Sequence, residues 1–150
     1  MGDRVKQALF NSIDVTGMAV LDAFAGTGAL SFEAISRGAK EVVAIEKDRK
    51  VFAVLKENVE ELKIPVKAIN ANNISWSENN QDVQFDLCIF DPPYTNTQLD
   101  KVNTLLMHIK PKGLMVLSYP AREEVPSFDG VDLIDNKTYG DASLAYYRKS

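Results

Sequence analysis

The chain has 150 residues, of which 45% are hydrophobic and 25% are charged, and its formal net charge is −4. This length and composition fit one globular domain over residues 1–150, and the longest apolar runs are too short to span a bilayer. The net negative charge argues against a strongly basic nucleic-acid-binding module, although a local patch of basic residues would still hold phosphate. The single cysteine, Cys88, excludes an internal disulfide and is typical of a reducing compartment, so we expect a cytoplasmic protein.

Strand and helix signals alternate through the first half of the chain. A helix is predicted over 4–13 with Asp3 as its N-cap, and a short apolar strand over 18–24 is ended by Gly26 and Gly28. Four further elements continue the alternation as helix, strand, helix and strand, over 29–37, 41–46, 49–62 and 65–70.

The second half begins with the run 85–90, whose nearly continuous apolar character is typical of a central parallel strand. A helix is predicted over 98–109, ended by Pro111 and Gly113. Three more strands are predicted over 114–119, 131–138 and 143–148, and the last two lack an intervening helix. We therefore expect an α/β, Rossmann-like fold: a mostly parallel seven-stranded sheet with an antiparallel C-terminal edge and helices on both faces.

Residues 20–30, VLDAFAGTGAL, place a strand, an acid and two glycines directly before a helix. Glycine permits a tight turn and the close approach of a ligand, which in such folds lies beyond the carboxyl ends of the strands. Glu46 ends the next strand 20 positions after Gly26, where an acid binds the hydroxyls of a ribose. Ser31 replaces the third glycine of a dinucleotide motif, and Asp22 would repel a pyrophosphate. An amine-bearing cation such as S-adenosylmethionine fits better, and a purely structural turn is the alternative.

The strand 85–90 is followed by the tetrad Asp-Pro-Pro-Tyr at 91–94. Two prolines fix φ and remove two backbone donors, so the carbonyls of Asp91 and Pro92 become acceptors on a stiff frame. Together with the Asp91 carboxylate they would hold both hydrogens of an exocyclic amine and aim its lone pair at a methyl sulfonium. Tyr94 offers a stacking face for an unpaired or flipped base. The alternative is a proline-stiffened turn capped by the aspartate.

These stretches together resemble a known family, the RsmD family of 16S rRNA guanine-N2 methyltransferases, which are class I S-adenosylmethionine-dependent methyltransferases. The matching stretches are DRVKQALFN (3–11), LDAFAGTGALSFEAISRGA (21–39), VVAIEKD (42–48) and FDLCIFDPPY (85–94). The tetrad alone is shared with adenine-N6 methylases, whereas the first helix and the phrase SRGA are more specific. The resemblance implies a monomeric methyltransferase with S-adenosylmethionine as cofactor and 16S rRNA, free or in an assembling small ribosomal subunit, as partner.

The resemblance also implies roles for individual residues, and it implies no metal. The loop bordering the methionine part of the cofactor would comprise Asp22, Ala23, Phe24, Ala25, Gly26, Thr27 and Gly28. Glu46 would bind the ribose hydroxyls and Lys47 would flank the adenine. Asn72, or its neighbour Asn73, would accept a hydrogen bond from the adenine amino group. The target guanine would be held by Asp91, Pro92, Pro93 and Tyr94, and Asp91 would also border the cofactor.

One departure from the family concerns the start of the chain. Family members usually carry a basic segment and an Arg-Pro-Thr stretch before the Asp-Arg-Val helix, whereas here Met1 and Gly2 lead straight into Asp3. We therefore expect a shortened form or a fragment, with RNA affinity more affected than cofactor binding. Two alternatives remain open: an adenine-N6 methyltransferase on DNA or RNA, and a non-catalytic domain that binds S-adenosylmethionine or RNA.

Three further expectations concern side chains outside these motifs. His108, near a predicted helix end, is expected to be solvated or to face the helix dipole. Cys88, inside a strand, is expected to be a small buried apolar residue. The candidates for phosphate contacts are Arg4, Lys6, Arg37, Lys101 and Arg122.

Overall fold

A seven-stranded sheet runs through the computed structural model, which describes residues 1–150. The strands are β1 (Ala19–Asp22), β2 (Glu41–Glu46), β3 (Val66–Asn70), β4 (Phe85–Phe90), β5 (Ile109–Pro120), β6 (Val131–Tyr139) and β7 (Ala142–Lys149). They lie in the order β3-β2-β1-β4-β5-β7-β6. The first five are parallel, and β7 pairs antiparallel with both β5 and β6, which confirms the predicted sheet.

Five α-helices and one 3-10 turn cover the two faces of this sheet. They are α1 (Asp3–Ser12), α2 (Ala29–Ser36), α3 (Arg49–Leu62), α4 (Asn73–Glu78), α5 (Leu99–Leu105) and the 3-10 turn Leu106–His108. Alternate strand residues point to opposite faces, so Leu87 packs with the α1–α3 side and Cys88 with the α4–α5 side. Each fully buried leucine in these two cores contributes about 1.5–3 kcal/mol. None of the helices combines the length and the apolar character that crossing a bilayer requires.

The helix predicted over 98–109 is shorter than expected. It ends at Leu105, and the chain enters β5 at Ile109, so Pro111 and Gly113 lie inside a strand. The pairing of β5 with β4 shifts after Ile109, which makes a bulge where a proline needs no ladder hydrogen bond. The apolar spacing of 105–109 continues the helical period, which is why the sequence predicted a longer helix.

Three other local predictions differ from the structure. Gly2, and not Asp3, is the N-cap of α1. Asp3 lies in the first turn, where its negative charge interacts favourably with the helix dipole. Helix α4 was not predicted, because NISWSE has no apolar period. His108 is fully buried and not solvated, while Cys88 is buried as predicted. Burial lowers the pKa of His108 and raises the pKa of Cys88.

Candidate active site

The order of the strands brings the predicted site residues to one edge of the sheet. Strand β1 lies between β2 and β4, with Asp22 in register with Ala44 on one side and Ile89 on the other. The loops that follow these three parallel strands therefore leave the sheet at the same edge. This edge gathers the glycine loop after β1, Glu46 at the end of β2 and the tetrad after β4.

The glycine loop is fastened to the end of β2 through Glu46. The Gly26 amide donates to Glu46 Oε1 at 2.9 Å, and the Asp48 amide donates to Glu46 Oε2 at 2.9 Å. Gly26 and Gly28 have φ values of 58° and 103°. A Cβ on Gly26 would meet no atom within 4 Å, whereas a Cβ on Gly28 would lie 2.7 Å from the Phe32 ring. Gly28 is thus required for packing, and Gly26 leaves the loop open to a ligand.

A cavity of about 240 Å³ lies beside this loop. Its lining contains eight of the predicted site residues: Ala23, Phe24, Gly26, Glu46, Lys47, Asn73, Asp91 and Pro93. It also contains Lys101, a candidate for phosphate contacts, and residues that the sequence did not single out, notably Ile45, Ala71 and Gln98. A second cavity of about 190 Å³ shares Phe24, Gly26 and Asp91 with the first, and Ala25 and Thr27 line it. The structure therefore brings the glycine loop and the tetrad together around two cavities that share lining residues.

Asp22 lies beneath the glycine loop and lines neither cavity. Its Oδ2 accepts a 2.7 Å hydrogen bond from the Ser31 hydroxyl, and its Oδ1 has no partner. Ser31, which replaces the third glycine of a dinucleotide motif, thus serves as the partner of this carboxyl group. Burial, together with the nearby carboxylates of Asp91 and Glu46, raises the pKa of Asp22 to about 7.

The two asparagine candidates for the adenine contact have different surroundings. Asn72 is exposed, and its side-chain oxygen caps α4 by accepting from the Ile74 amide at 2.8 Å. Asn73 is buried against the 240 Å³ cavity, and its Oδ1 has no hydrogen-bond partner. A buried amide oxygen without a partner is costly, so a ligand donor at this position would satisfy it. Asn73 therefore fits the expected role better than Asn72.

The tetrad forms a turn with free acceptors. The Asn96 amide donates to the Pro93 carbonyl at 3.0 Å, whereas the Asp91 and Pro92 carbonyls accept no hydrogen bond within the chain. The Asp91 Oδ2 accepts a hydrogen bond from the Met1 amino group at 3.1 Å.

The tyrosine of the tetrad is held from the neighbouring strand. The Tyr94 hydroxyl lies 2.6 Å from the Ser118 hydroxyl of β5, and burial raises the pKa of the phenol. The tyrosine is thus neutral at pH 7, and this hydrogen bond fixes one end of its half-buried ring.

The candidates for phosphate contacts differ in whether their side chains already bind other groups of the chain. Arg37 ties α2 to α1 by donating to the Phe10 carbonyl, Gln7, Asn11 and Glu33. Lys6 lies 3.5 Å from Asp3, and Lys101 lines the cavity. Arg4 and Arg122 are exposed and make no salt bridge. Arg37 is therefore a structural residue and not a free phosphate ligand.

Known proteins are similar to this chain in sequence and in fold. The family described as "Conserved hypothetical protein 95" matches residues 1–148. Ribosomal RNA small subunit methyltransferase D from Haemophilus influenzae is 32% identical, and the alignment covers 98% of this chain and 81% of that protein.

Solved structures show the same likeness. The structure named "Putative methyltransferase yhhF from Escherichia coli" superposes with a TM-score of 0.88 at 28% identity, covering 99% of this chain and 85% of that one. A conserved hypothetical protein from Streptococcus pyogenes gives a TM-score of 0.85 at 26% identity, covering 97% and 95%. The chain therefore belongs to the RsmD family and has the fold of class I S-adenosylmethionine-dependent methyltransferases.

Proposed function

We propose that this chain transfers a methyl group from S-adenosylmethionine to the exocyclic N2 of a guanine in 16S rRNA, with residues 1–150 forming one catalytic domain. The observation that carries the proposal is the acceptor cluster of the tetrad, placed against the glycine-loop cavity. The relative from Haemophilus influenzae, named for small-subunit rRNA, supports an RNA substrate. An assembling small subunit is the form of substrate that we favour.

The residues around the cavity fit S-adenosylmethionine. The carboxylates of Glu46 and Asp91 line the cavity and both lie close enough to Asp22 to raise its pKa, and two such carboxylates attract a cation. Each Glu46 oxygen accepts one backbone hydrogen bond and keeps a lone pair for a ribose hydroxyl. The partnerless Asn73 oxygen suits the adenine amino group, and Lys47 would flank the ring. When bound, the cofactor supplies a methyl group already activated on a positively charged sulfur.

The chain itself contributes positioning and electrostatics to the transfer. Asp91 and the free carbonyls of Asp91 and Pro92 accept hydrogen bonds only, so they select an amine and orient its two hydrogens. As the new N–C bond forms, positive charge develops on the nitrogen, and the Asp91 carboxylate stabilises that charge. The bond between the methyl group and the sulfur would break as the N–C bond forms, and the excess proton would pass from the nitrogen to solvent water. Holding the amine in line with the methyl group reduces the entropic part of the barrier, and the Tyr94 ring stacks on the base.

The choice of guanine N2 over adenine N6 rests on the family likeness and not on the tetrad. Both amines present two hydrogens to the same acceptors, so the tetrad alone favours neither. The first helix, DRVKQALFN, and the SRGA phrase match the RsmD family. Chemical identification of the methylated nucleoside separates these two functions.

Replacement of Asp91 tests whether the tetrad is catalytic. Asp91→Ala is expected to lower methylation of undermethylated 30S subunits by about 10²–10³-fold, the usual effect of removing one preorganised electrostatic group. Asp100→Ala, which replaces an exposed aspartate on nearby α5, is the matched control and should retain activity. Calorimetry with S-adenosylhomocysteine reports whether each variant keeps its cofactor site. Equal activity of wild type and Asp91→Ala would refute the proposed role, and cofactor binding without turnover on any RNA would support the non-catalytic alternative.

A further inference from the structure

Helix α4 carries a cavity residue but is too short to hold its own position. It has six residues, Asn73–Glu78, and isolated helices of this length are unstable in water. Its first residue, Asn73, lines the cavity, and Ser77 follows four positions later on the same helical face. The position of the Asn73 amide therefore depends on the contacts that anchor the rest of α4.

Ser77 is anchored by His108, which lies directly before β5. The Ser77 hydroxyl is 2.8 Å from His108 Nε2, and both side chains are buried. The other ring nitrogen, Nδ1, lies 2.7 Å from the Val83 carbonyl. A carbonyl only accepts, so Nδ1 carries the proton, Nε2 is the acceptor, and the Ser77 hydroxyl donates to it. This assigns one defined tautomer to a neutral imidazole.

The His108 ring also packs against the Trp76 ring in a tilted arrangement. The Trp76 ring centroid lies 4.7 Å from the His108 ring and 6.2 Å from the Phe85 ring. Val83 precedes β4, and His108 precedes β5, so the histidine joins α4 to the starts of two central strands. The methyl-transfer chemistry proposed above uses neither Ser77 nor His108.

We propose that Ser77 and His108 are positioning residues for the cofactor, fixing α4 so that the Asn73 amide oxygen accepts from the 6-amino group of the adenine. The inference rests on the proposed use of S-adenosylmethionine. It predicts that a change at Ser77, which lies outside the cavity lining, alters discrimination for one exocyclic group of the ligand. A pair that only stabilises the core would alter stability without altering that discrimination.

The test measures binding of two ligands by calorimetry: S-adenosylhomocysteine and its analogue with hydrogen in place of the 6-amino group. Ser77→Ala is expected to weaken S-adenosylhomocysteine about fivefold to tenfold, the value of one hydrogen bond, and to change the analogue by less than about twofold. Asn73→Ala is expected to give the same pattern, and the double variant should show no further loss. Ser75→Ala, on the same helix with an exposed hydroxyl that makes no hydrogen bond, is the control.

A second variant keeps the inference independent of one substitution. His108→Asn places an amide near the Nδ1 position but does not reach Ser77, so it should reproduce the selective loss. Equal weakening of both ligands, no weakening of either, or additive losses in the double variant would overturn the inference. A Ser77→Ala chain that fails to fold would also overturn it, because the pair would then serve the fold and not Asn73. If the wild-type chain binds neither ligand, the proposed function itself fails.

Discussion

Replacing Asp22 with Asn removes the one carboxyl group of the site that is fully buried. The amide keeps the shape of the side chain and can still accept from Ser31, but it does not titrate. In the wild-type chain the pKa of Asp22 is raised to about 7, chiefly by burial, from an ordinary value of 3.8. The native state therefore binds a proton between these two values that the unfolded state has already released.

The expected effect on stability follows from this difference. A raised carboxyl pKa makes the native state less stable as pH increases, beginning near the unfolded value and complete above the folded value. A rise of about three in the pKa of one carboxyl group lowers the free energy of unfolding by about 4 kcal/mol in total. Because part of this cost is already present at pH 5, the stability of Asp22→Asn relative to wild type should increase by about 2–3 kcal/mol between pH 5 and pH 8.

Urea unfolding of both chains at pH 5 and pH 8, at constant ionic strength, measures this difference directly. Comparing the two pH values cancels any pH-independent cost of burying the amide. Asp100→Asn provides the comparison for an exposed carboxylate. The quantity compared is the free energy of unfolding of Asp22→Asn minus that of the wild type. If it is the same at both pH values, or is lower at pH 8 than at pH 5, the reasoning about Asp22 is refuted.

The remaining predictions concern the glycine loop, the strand end and the tetrad. Gly28→Ala should destabilise the fold by about 2 kcal/mol or more, because its Cβ meets the Phe32 ring, as thermal melting would show. Gly26→Ala should destabilise the fold by about 1–2 kcal/mol through the strain of its positive φ, and should weaken S-adenosylhomocysteine at least about tenfold, which calorimetry would detect. Glu46→Gln should weaken the same ligand about tenfold, because it loses a charged acceptor. Tyr94→Phe should keep stacking and lose less than about tenfold in kcat/KM; a larger loss would assign chemistry to the hydroxyl.

The sheet was predictable because its signals are local. β-branched runs such as 41–46 and the nearly all-apolar run 85–90 specify strands without reference to the rest of the chain. The end of α5 was not predictable from the sequence. The apolar residues at 105–109 fit both the period of a helix and the pattern of a buried strand. Only pairing with β4 decides between them.

The residues of the candidate site also differ in how far local sequence patterns predict their positions. Glu46 ends a predicted strand and Asp91 directly follows another, so the order of the strands alone brings the two residues together. Asn73 was predicted as an alternative to Asn72 and Lys101 as a phosphate contact, whereas Gln98 was not singled out. These residues lie at or near the starts of α4 and α5, and the placement of both helices depends on tertiary contacts that no local pattern encodes. The tetrad motif is visible in the sequence, but the Tyr94 bond to Ser118 is not, since it joins side chains on different elements.

Mass spectrometry of the methylated nucleoside tests the central claim most directly. Undermethylated 30S subunits, and naked 16S rRNA in parallel, would be incubated with the chain and S-adenosylmethionine, then digested to nucleosides. The proposed function predicts N2-methylguanosine, formed by the wild type and not by Asp91→Ala. N6-methyladenosine would contradict the guanine assignment, and the absence of any methylated nucleoside from a chain that binds the cofactor would contradict catalysis on this RNA.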